Sequence, residues 1–224
     1  MNEFTFEVIG QRIERTARAL EKNNFEVFVV NDKKAANEQV RALLSAGDTI
    51  GVGGSETLNE CDILSLVREE KYQFIDRYEK GLSKSEIAAR HVASLGANVY
   101  ITSSNAITEQ GELYNVDGNG NRVAAIAFGP KNVIVIAGYN KIVKDLPDAI
   151  RRVKEIAAPS NTKRLSMPTY CSEAGECMAL AKGECGMTDG CASEGRICCD
   201  YLVSAFQRRK GRIKVILVKE ELGF

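Results

Sequence analysis

The chain has 224 residues, and its thirty basic and thirty acidic side chains leave no net charge, which excludes the basic footprint of a nucleic-acid binder. A domain of this length buries roughly 70% of the surface its unfolded chain exposes, so the seven cysteines are not needed as a disulfide framework. No stretch approaches the ~20 apolar residues of a membrane span. The N-terminal segment, with charges at Glu3, Glu7, Arg12, Glu14 and Arg15, lacks the apolar core of a signal peptide. The expectation is a cytoplasmic protein with neither nucleic acid nor membrane as a partner. Thiols in that compartment are kept reduced, and an odd count leaves one unpaired under any disulfide scheme. Metal binding or redox chemistry is therefore the first reading of the cysteines.

In chain order, Val8, Ile9, Ile13, Ala17 and Leu20 give residues 7–22 helical spacing. The apolar run 25–30 predicts a strand, and Ala36, Val40, Leu43 and Leu44 predict a helix over 33–45. Strand 49–52, helix 56–69 and strand 72–75 follow. Ser83 and Glu86 form a capping box that opens helix 84–95, and Gly96 ends it. Strand 97–102 continues the alternation. This rhythm predicts an α/β fold, a Rossmann-like, mostly parallel sheet with helices on both faces, in one domain spanning 1–224. It changes over 111–128, where 111–115 and 122–128 flank an Asp/Gly/Asn turn and predict a β-hairpin without a helix. Strand 133–137 follows, then helix 145–157 with Leu146, Ile150, Val153 and Ile156 on one face. The cysteine-rich segment 171–199 is an insertion before a helix near 196–208 and a last strand, 213–218. The run Arg208 to Arg212 reads as a solvated turn.

The cysteine segment runs Cys171-x5-Cys177-x7-Cys185-x5-Cys191-x6-Cys198-Cys199, interspersed with Gly175, Gly183, Gly186, Gly190 and Gly195. Four thiolates hold either a 4Fe–4S cluster or a structural zinc. Zinc sites usually show two tight C-x2–4-C pairs, which are absent, so the wide, uneven spacing fits an iron–sulfur cluster better; free or redox-active thiols are the bland alternative. Cys61, inside a helix, reads as a buried thiol, and His91, the only histidine, as a helix-face residue without a role.

Gly53, Gly54, Ser55 and Thr57 follow a strand and open a helix, a setting in which backbone amides meet a phosphate or carboxylate; a tight turn with Ser55 as cap explains them equally well. The stretch Ser103–Glu109, with Ser104 and Asn105, lies at the C-terminal end of a strand, where open α/β sheets bind ligands. The turn 115–122 adds Asn119, Asn121 and Arg122, although Asp, Gly and Asn also suit any tight turn. These residues are the candidate walls of one pocket for a small anionic ligand. Glu109, Asp117 and Lys141 are the candidates for proton transfer.

Gly53-Gly54-Ser55-x-Thr57-Leu58, the stretch Thr102 to Leu113, the Asn/Asp/Gly run 115–122, Phe128-Gly129-Pro130-Lys131 and Gly138-x-Asn140-Lys141-Ile142-Val143 together resemble the LUD (lactate-utilisation) domain family, over nearly the whole chain. The resemblance implies the fold of the ribose-5-phosphate isomerase, glucosamine-phosphate deaminase and CoA-transferase superfamily. The cysteines resemble those of a LUD subgroup with a C-terminal cysteine motif, which implies Cys171, Cys177, Cys191 and Cys198 as cluster ligands. Here an insertion carries Cys185, and Cys199 stands where that motif has Asn.

Three functions follow as expectations. The first, implied by the family name, is an iron–sulfur protein of organic-acid (lactate) oxidation or electron transfer, partnered by other iron–sulfur proteins. The second is a stand-alone enzyme acting on a hydroxy acid or sugar phosphate beside its cluster; the third is a redox or metal sensor. A second copy of the chain, in a homodimer, is a further candidate partner.

Overall fold

The stripe Ile13, Ala17 and Leu20 forms the buried face of α1 (Glu3–Lys22), whose first turn is capped by the Asn2 side chain accepting the Thr5 amide. The structure, a computed structural model, describes residues 2–224. There follow β1 (Glu26–Val30), α2 (Lys33–Leu43), β2 (Thr49–Val52), α3 (Glu56–Glu60), α4 (Ile63–Val67), β3 (Gln73–Phe74), α5 (Lys84–Ser94) and β4 (Val99–Thr102). The capping box of Ser83 and Glu86 is present at the start of α5. The single helix expected over 56–69 is two short ones, because Asp62 takes a left-handed conformation (φ 53°) between them. Next come β5 (Ala106–Thr108), β6 (Leu113–Asp117), α6 (Asn121–Ala127), β7 (Asn132–Gly138) and, after a 3-10 turn at Tyr139–Lys141, β8 (Ile142–Val143). The remainder is α7 (Leu146–Arg152), a π-helical turn (Val153–Ala157), α8 (Ala158–Arg164), α9 (Tyr170–Ala174), α10 (Met178–Ala181), β9 (Asp200–Ser204) and β10 (Ile213–Val218).

Six strands form the main sheet in the order β1-β10-β7-β4-β2-β3, every neighbouring pair parallel. Side chains alternate across it, as strand geometry demands. Val133, Val135 and Ala137 of β7 pack with Ile13, Leu20 and Ile126 on one face, whereas Ile134 and Ile136 pack with Val40, Ile50 and Leu66 on the other. Helices thus cover both faces, as a parallel sheet buried on both sides requires. The Rossmann-like class holds. Among the described residues no helix is long and apolar enough to cross a membrane.

The hairpin expected over 111–128 does not form. Its first arm is β6, but 121–127 is the helix α6, and β6 pairs antiparallel with β5 before it and with β9 far along the chain. The cause is local. The Asp117 carboxylate accepts the amides of Arg122 and Val123 at 2.7 and 3.2 Å, satisfying donors that a new helix leaves open. The helix expected near 196–208 is instead β9, a run of Tyr, Leu and Val suited to a half-buried strand. Arg208, Arg209 and Lys210 are exposed in a turn as expected, but the half-buried Arg212 donates to the carbonyls of Ala125, Ile126 and Pro130 and so closes the C-terminal end of α6. A second sheet, β8-β5-β6-β9, packs against α7 and the π-turn through Ala106, Tyr114, Ala149 and Val153.

Candidate functional site

Strands β2, β4 and β7 are neighbours, so their C-terminal ends deliver residues 53–57, 103–105 and 139–141 to one place. With the turn 116–122 they wall a cleft of about 280 Å³. Gly54, Ser55, Ser104, Asn105, Asp117, Asn119, Asn121, Arg122 and Lys141 all line it. Gly53 and Thr57 lie beneath the wall. A Cβ on Gly53 would come within 2.6 Å of Thr102 Oγ1 and 3.1 Å of Arg122 Cδ, and Thr57 is fully buried. Glu109 is elsewhere: it pairs with Arg12 at 2.7 Å and approaches Arg15 at 3.8 Å, on the α1 side of the molecule.

The cleft is built on buried cations. Lys141 is 3% exposed, and its Nζ donates to Thr57 Oγ1 at 2.8 Å and Ser103 Oγ at 2.9 Å. Burial, with the nearby charges of Arg152 and Arg122, pushes its ammonium down to about 7. The Arg122 guanidinium donates to Asn115 Oδ1, Asn105 Oδ1 and the carbonyls of Ser103 and Val116. All four acceptors are neutral. Arg152 leaves α7 to donate to the carbonyls of Asn140 and Asn105, and burial holds it down to about 10. Arg77, at the cleft's edge, meets His91 Nε2 at 3.0 Å and Tyr78 Oη at 2.6 Å, and its buried Nε has no partner. A Cβ on Gly54 would strike Arg77 Nη2 at 2.7 Å, so glycine is what lets the guanidinium lie against this loop. Among the described residues, none of Lys141, Arg122, Arg152 and Arg77 forms an ion pair with a carboxylate. Buried charge without a counter-charge is costly, and an entering anion relieves that cost.

Asp117 plays a different part from the one its acidity suggests. One carboxylate oxygen accepts the Gly118 amide and the other the amides of Arg122 and Val123, so it fixes the turn that carries Arg122. Arg77 at the cleft and Arg152, which holds the Asn105 and Asn140 carbonyls from outside it, are the residues that the sequence did not single out. The only signal was position: Arg77 lies two residues beyond the 72–75 run.

A second, narrow cavity lies behind the π-turn. Cys171, Cys177, Cys191 and Cys198 all line it, together with Tyr114, Met187 and Lys154, whereas Cys185 and Cys199 do not. Its volume is about 20 Å³, room for about one water, and part of its wall is the glycine-bearing stretch 183–195. Among the described residues, no three His, Cys, Asp or Glu side chains converge on a point suited to one metal ion. Arg196 ties the segment together through the carbonyls of Cys191, Cys198 and Thr188. Burial pushes the Cys198 thiol up. Burial also acts on Cys191, but hydrogen bonds from Ser193 and the charge of Arg196 outweigh it and hold that thiol below its ordinary value. Cys198 is packed beside Tyr114 and Tyr201, whereas Cys199 faces solvent. The two cavities share a wall, since Val153, Ala158 and Cys198 line both.

Comparison with curated proteins finds no match. Among solved structures, the chain is similar to a DUF162 family protein from Deinococcus radiodurans, with 14% identity and a TM-score of 0.48 over 94% of this chain and 98% of that one. It is also similar to ribose 5 phosphate isomerase A from Neisseria gonorrhoeae, with 19% identity and a TM-score of 0.36 over 61% of this chain and 66% of that one. The LUD domain family model matches residues 13–218, and the chain belongs to that family.

Proposed function

We propose that this protein is an iron–sulfur protein of organic-acid oxidation that binds a small organic anion, such as a hydroxy carboxylate, in the cleft beside a 4Fe–4S cluster held by Cys171, Cys177, Cys191 and Cys198. The observation that carries the reading is the shared wall: Cys198 lines both the cationic cleft and the cysteine cavity. Four thiols that surround a space without converging on a point suit the corners of a cluster better than one tetrahedral zinc. Seating a cluster requires the glycine-bearing stretch 183–195 to move outward.

When bound, the cluster supplies one-electron transfer. The remaining work falls to the chain's own side chains. Arg122, Lys141 and Arg77 draw the anion out of water into a cleft where the local charge is positive. Lys141, held to about 7, binds as an ammonium below that pH and accepts a substrate proton as an amine above it. The hydroxyls of Thr57 and Ser103 fix the direction of its nitrogen. An electron-transfer role with partner proteins is supported by the exposure of Glu173 to Glu176 and Lys182 to Glu184, which border the cysteines at the surface.

Anaerobic purification followed by iron and sulfide counting per chain tests the cluster. Ser substitution at Cys171, Cys177, Cys191 or Cys198 should abolish it, and substitution at Cys185 or Cys199 should leave it in place. Adding oxalate or lactate should then change the electron paramagnetic resonance spectrum of the reduced cluster in the native protein and not in Arg122→Met. A cluster whose spectrum ignores both anions would separate the cluster from the cleft and sink the adjacency.

A further inference from the structure

Lys154 is buried to 6% exposure in the π-turn and lines the cysteine cavity. Its Nζ donates to the carbonyl oxygens of Gly186 at 2.6 Å and Asp189 at 2.8 Å. Among the described residues it forms no ion pair. Asp189 is the carboxylate that also lines the cavity, but its Oδ2 is turned to the Gly186 amide at 2.6 Å. A lysine this deep in an otherwise apolar cavity bears a desolvation cost that two carbonyl dipoles offset only in part. Four neutral thiols would add nothing to hold it there. Thiolates would.

The position of Lys154 is itself unusual. In the π-turn Ile156 is 47% exposed, while Lys154 is buried in the wall of the cysteine cavity. Such turns occur mostly as single-turn insertions, frequently at functional sites. Here the turn carries a buried lysine in the wall of the one cavity that the four cysteines share.

We propose that Lys154 is the charge-compensating residue of the cysteine site: its ammonium offsets the negative charge of the thiolate-bound cluster and raises its reduction potential. The inference rests on the cluster reading above. A 4Fe–4S centre with four thiolate ligands is a dianion when oxidised and a trianion after taking one electron. A fixed cation nearby stabilises the more negative, reduced form, because net charge and local hydrogen bonding set the potential of such clusters. Lys154 acts through the cluster's charge, as a positioning and tuning residue rather than a ligand.

The test compares the native protein with Lys154→Met and Lys154→Arg, purified anaerobically, with iron counted per chain and the cluster titrated with dithionite through redox mediators. At a fixed applied potential, Lys154→Met should show a ratio of reduced to oxidised cluster at least tenfold lower than native, a shift of about 59 mV to more negative potential. Lys154→Arg should restore most of it. Loss of iron from Lys154→Met with retention in Lys154→Arg would also support the proposal, since charge rather than shape would then be what holds the cluster. An unchanged potential in Lys154→Met would overturn it, and so would equal loss of iron from both variants, which would mark Lys154 as a tie for the Gly186 and Asp189 carbonyls only. Absence of iron from the native protein itself would overturn the cluster reading and this inference together, and is told apart from the other outcomes before any variant is made.

Discussion

The carboxylate of Asp117 accepts the backbone N–H of Arg122 at 2.7 Å, while the guanidinium of Arg122 turns away from it to Asn105, Asn115 and the carbonyls of Ser103 and Val116. One residue anchors the start of α6, and the other uses that anchorage to reach the cleft floor. The two substitutions should therefore differ in kind. Asp117→Ala should lower unfolding free energy by about 1–2 kcal/mol, the usual cost of losing a helix cap. Arg122→Met should cost about 2 kcal/mol or more, because it leaves several buried acceptors unpaired, and should also abolish oxalate binding. Arg122→Lys keeps the charge without the fork that spans the two asparagines, and should recover only part of either loss. Urea unfolding and titration calorimetry with oxalate measure the two effects separately.

Lys141 gives the site a pH dependence whose sign follows from its burial. Its pKa falls from 10.5 to about 7 on folding, so between those values the unfolded chain holds the proton more tightly than the folded one. Its contribution to stability therefore rises with pH across this window, by about 1.4 kcal/mol per pH unit at most, and is flat below about 7. Unfolding free energies of native protein and Lys141→Met, measured from pH 6 to 10, should show this slope only in the difference between them. Anion binding should run the other way. Oxalate should bind more tightly at pH 6 than at pH 9 in the native protein, and with little pH dependence in Lys141→Met.

Gly54 and Glu109 offer a contrast between a residue inside the cleft and a carboxylate outside it. A side chain at Gly54 meets Arg77 Nη2 at 2.7 Å. Gly54→Val should displace the guanidinium and weaken oxalate binding tenfold or more, with an unfolding midpoint close to native because the far end of Arg77 can yield. Glu109→Gln removes the partner of Arg12 at a half-exposed ion pair. It should leave oxalate affinity unchanged and alter stability by no more than about 1 kcal/mol. A Glu109 variant that lost oxalate binding would contradict the boundary drawn for the cleft.

The parallel sheet was legible because each of its strands is a short apolar run and each early helix repeats near 3.6 residues. Gly54, Asn105 and Lys141 were legible as cleft residues for a related reason: each follows a strand, and neighbouring parallel strands end together. The failures have separate causes. Asn119, Gly120 and Asn121 have hairpin-turn chemistry, and only the folded-back Asp117 carboxylate turns that stretch into a helix start. Residues 200–204 pair with β6, more than eighty positions earlier, a partner no local pattern announces. Arg77, Arg152 and Lys154 carry no local signal, since tertiary packing alone buries them. Helix 145–157 also departs from its count, since Ile156, expected with the apolar residues, is 47% exposed.

The junction of the cysteine segment with β9 carries one more consequence. The Cys199 amide donates to Asp117 O at 2.9 Å, one residue before the pairing of β9 with β6 begins at Asp200, so the cysteine segment runs straight into that ladder. At this junction the two neighbouring side chains part, Cys198 packed inside and Cys199 outside. A slip of β9 by one residue along β6 would exchange the inward thiol for its neighbour, and a slip of two would present Asp200 in its place, so the pairing register of a strand outside the main sheet selects which sulfur the cavity receives.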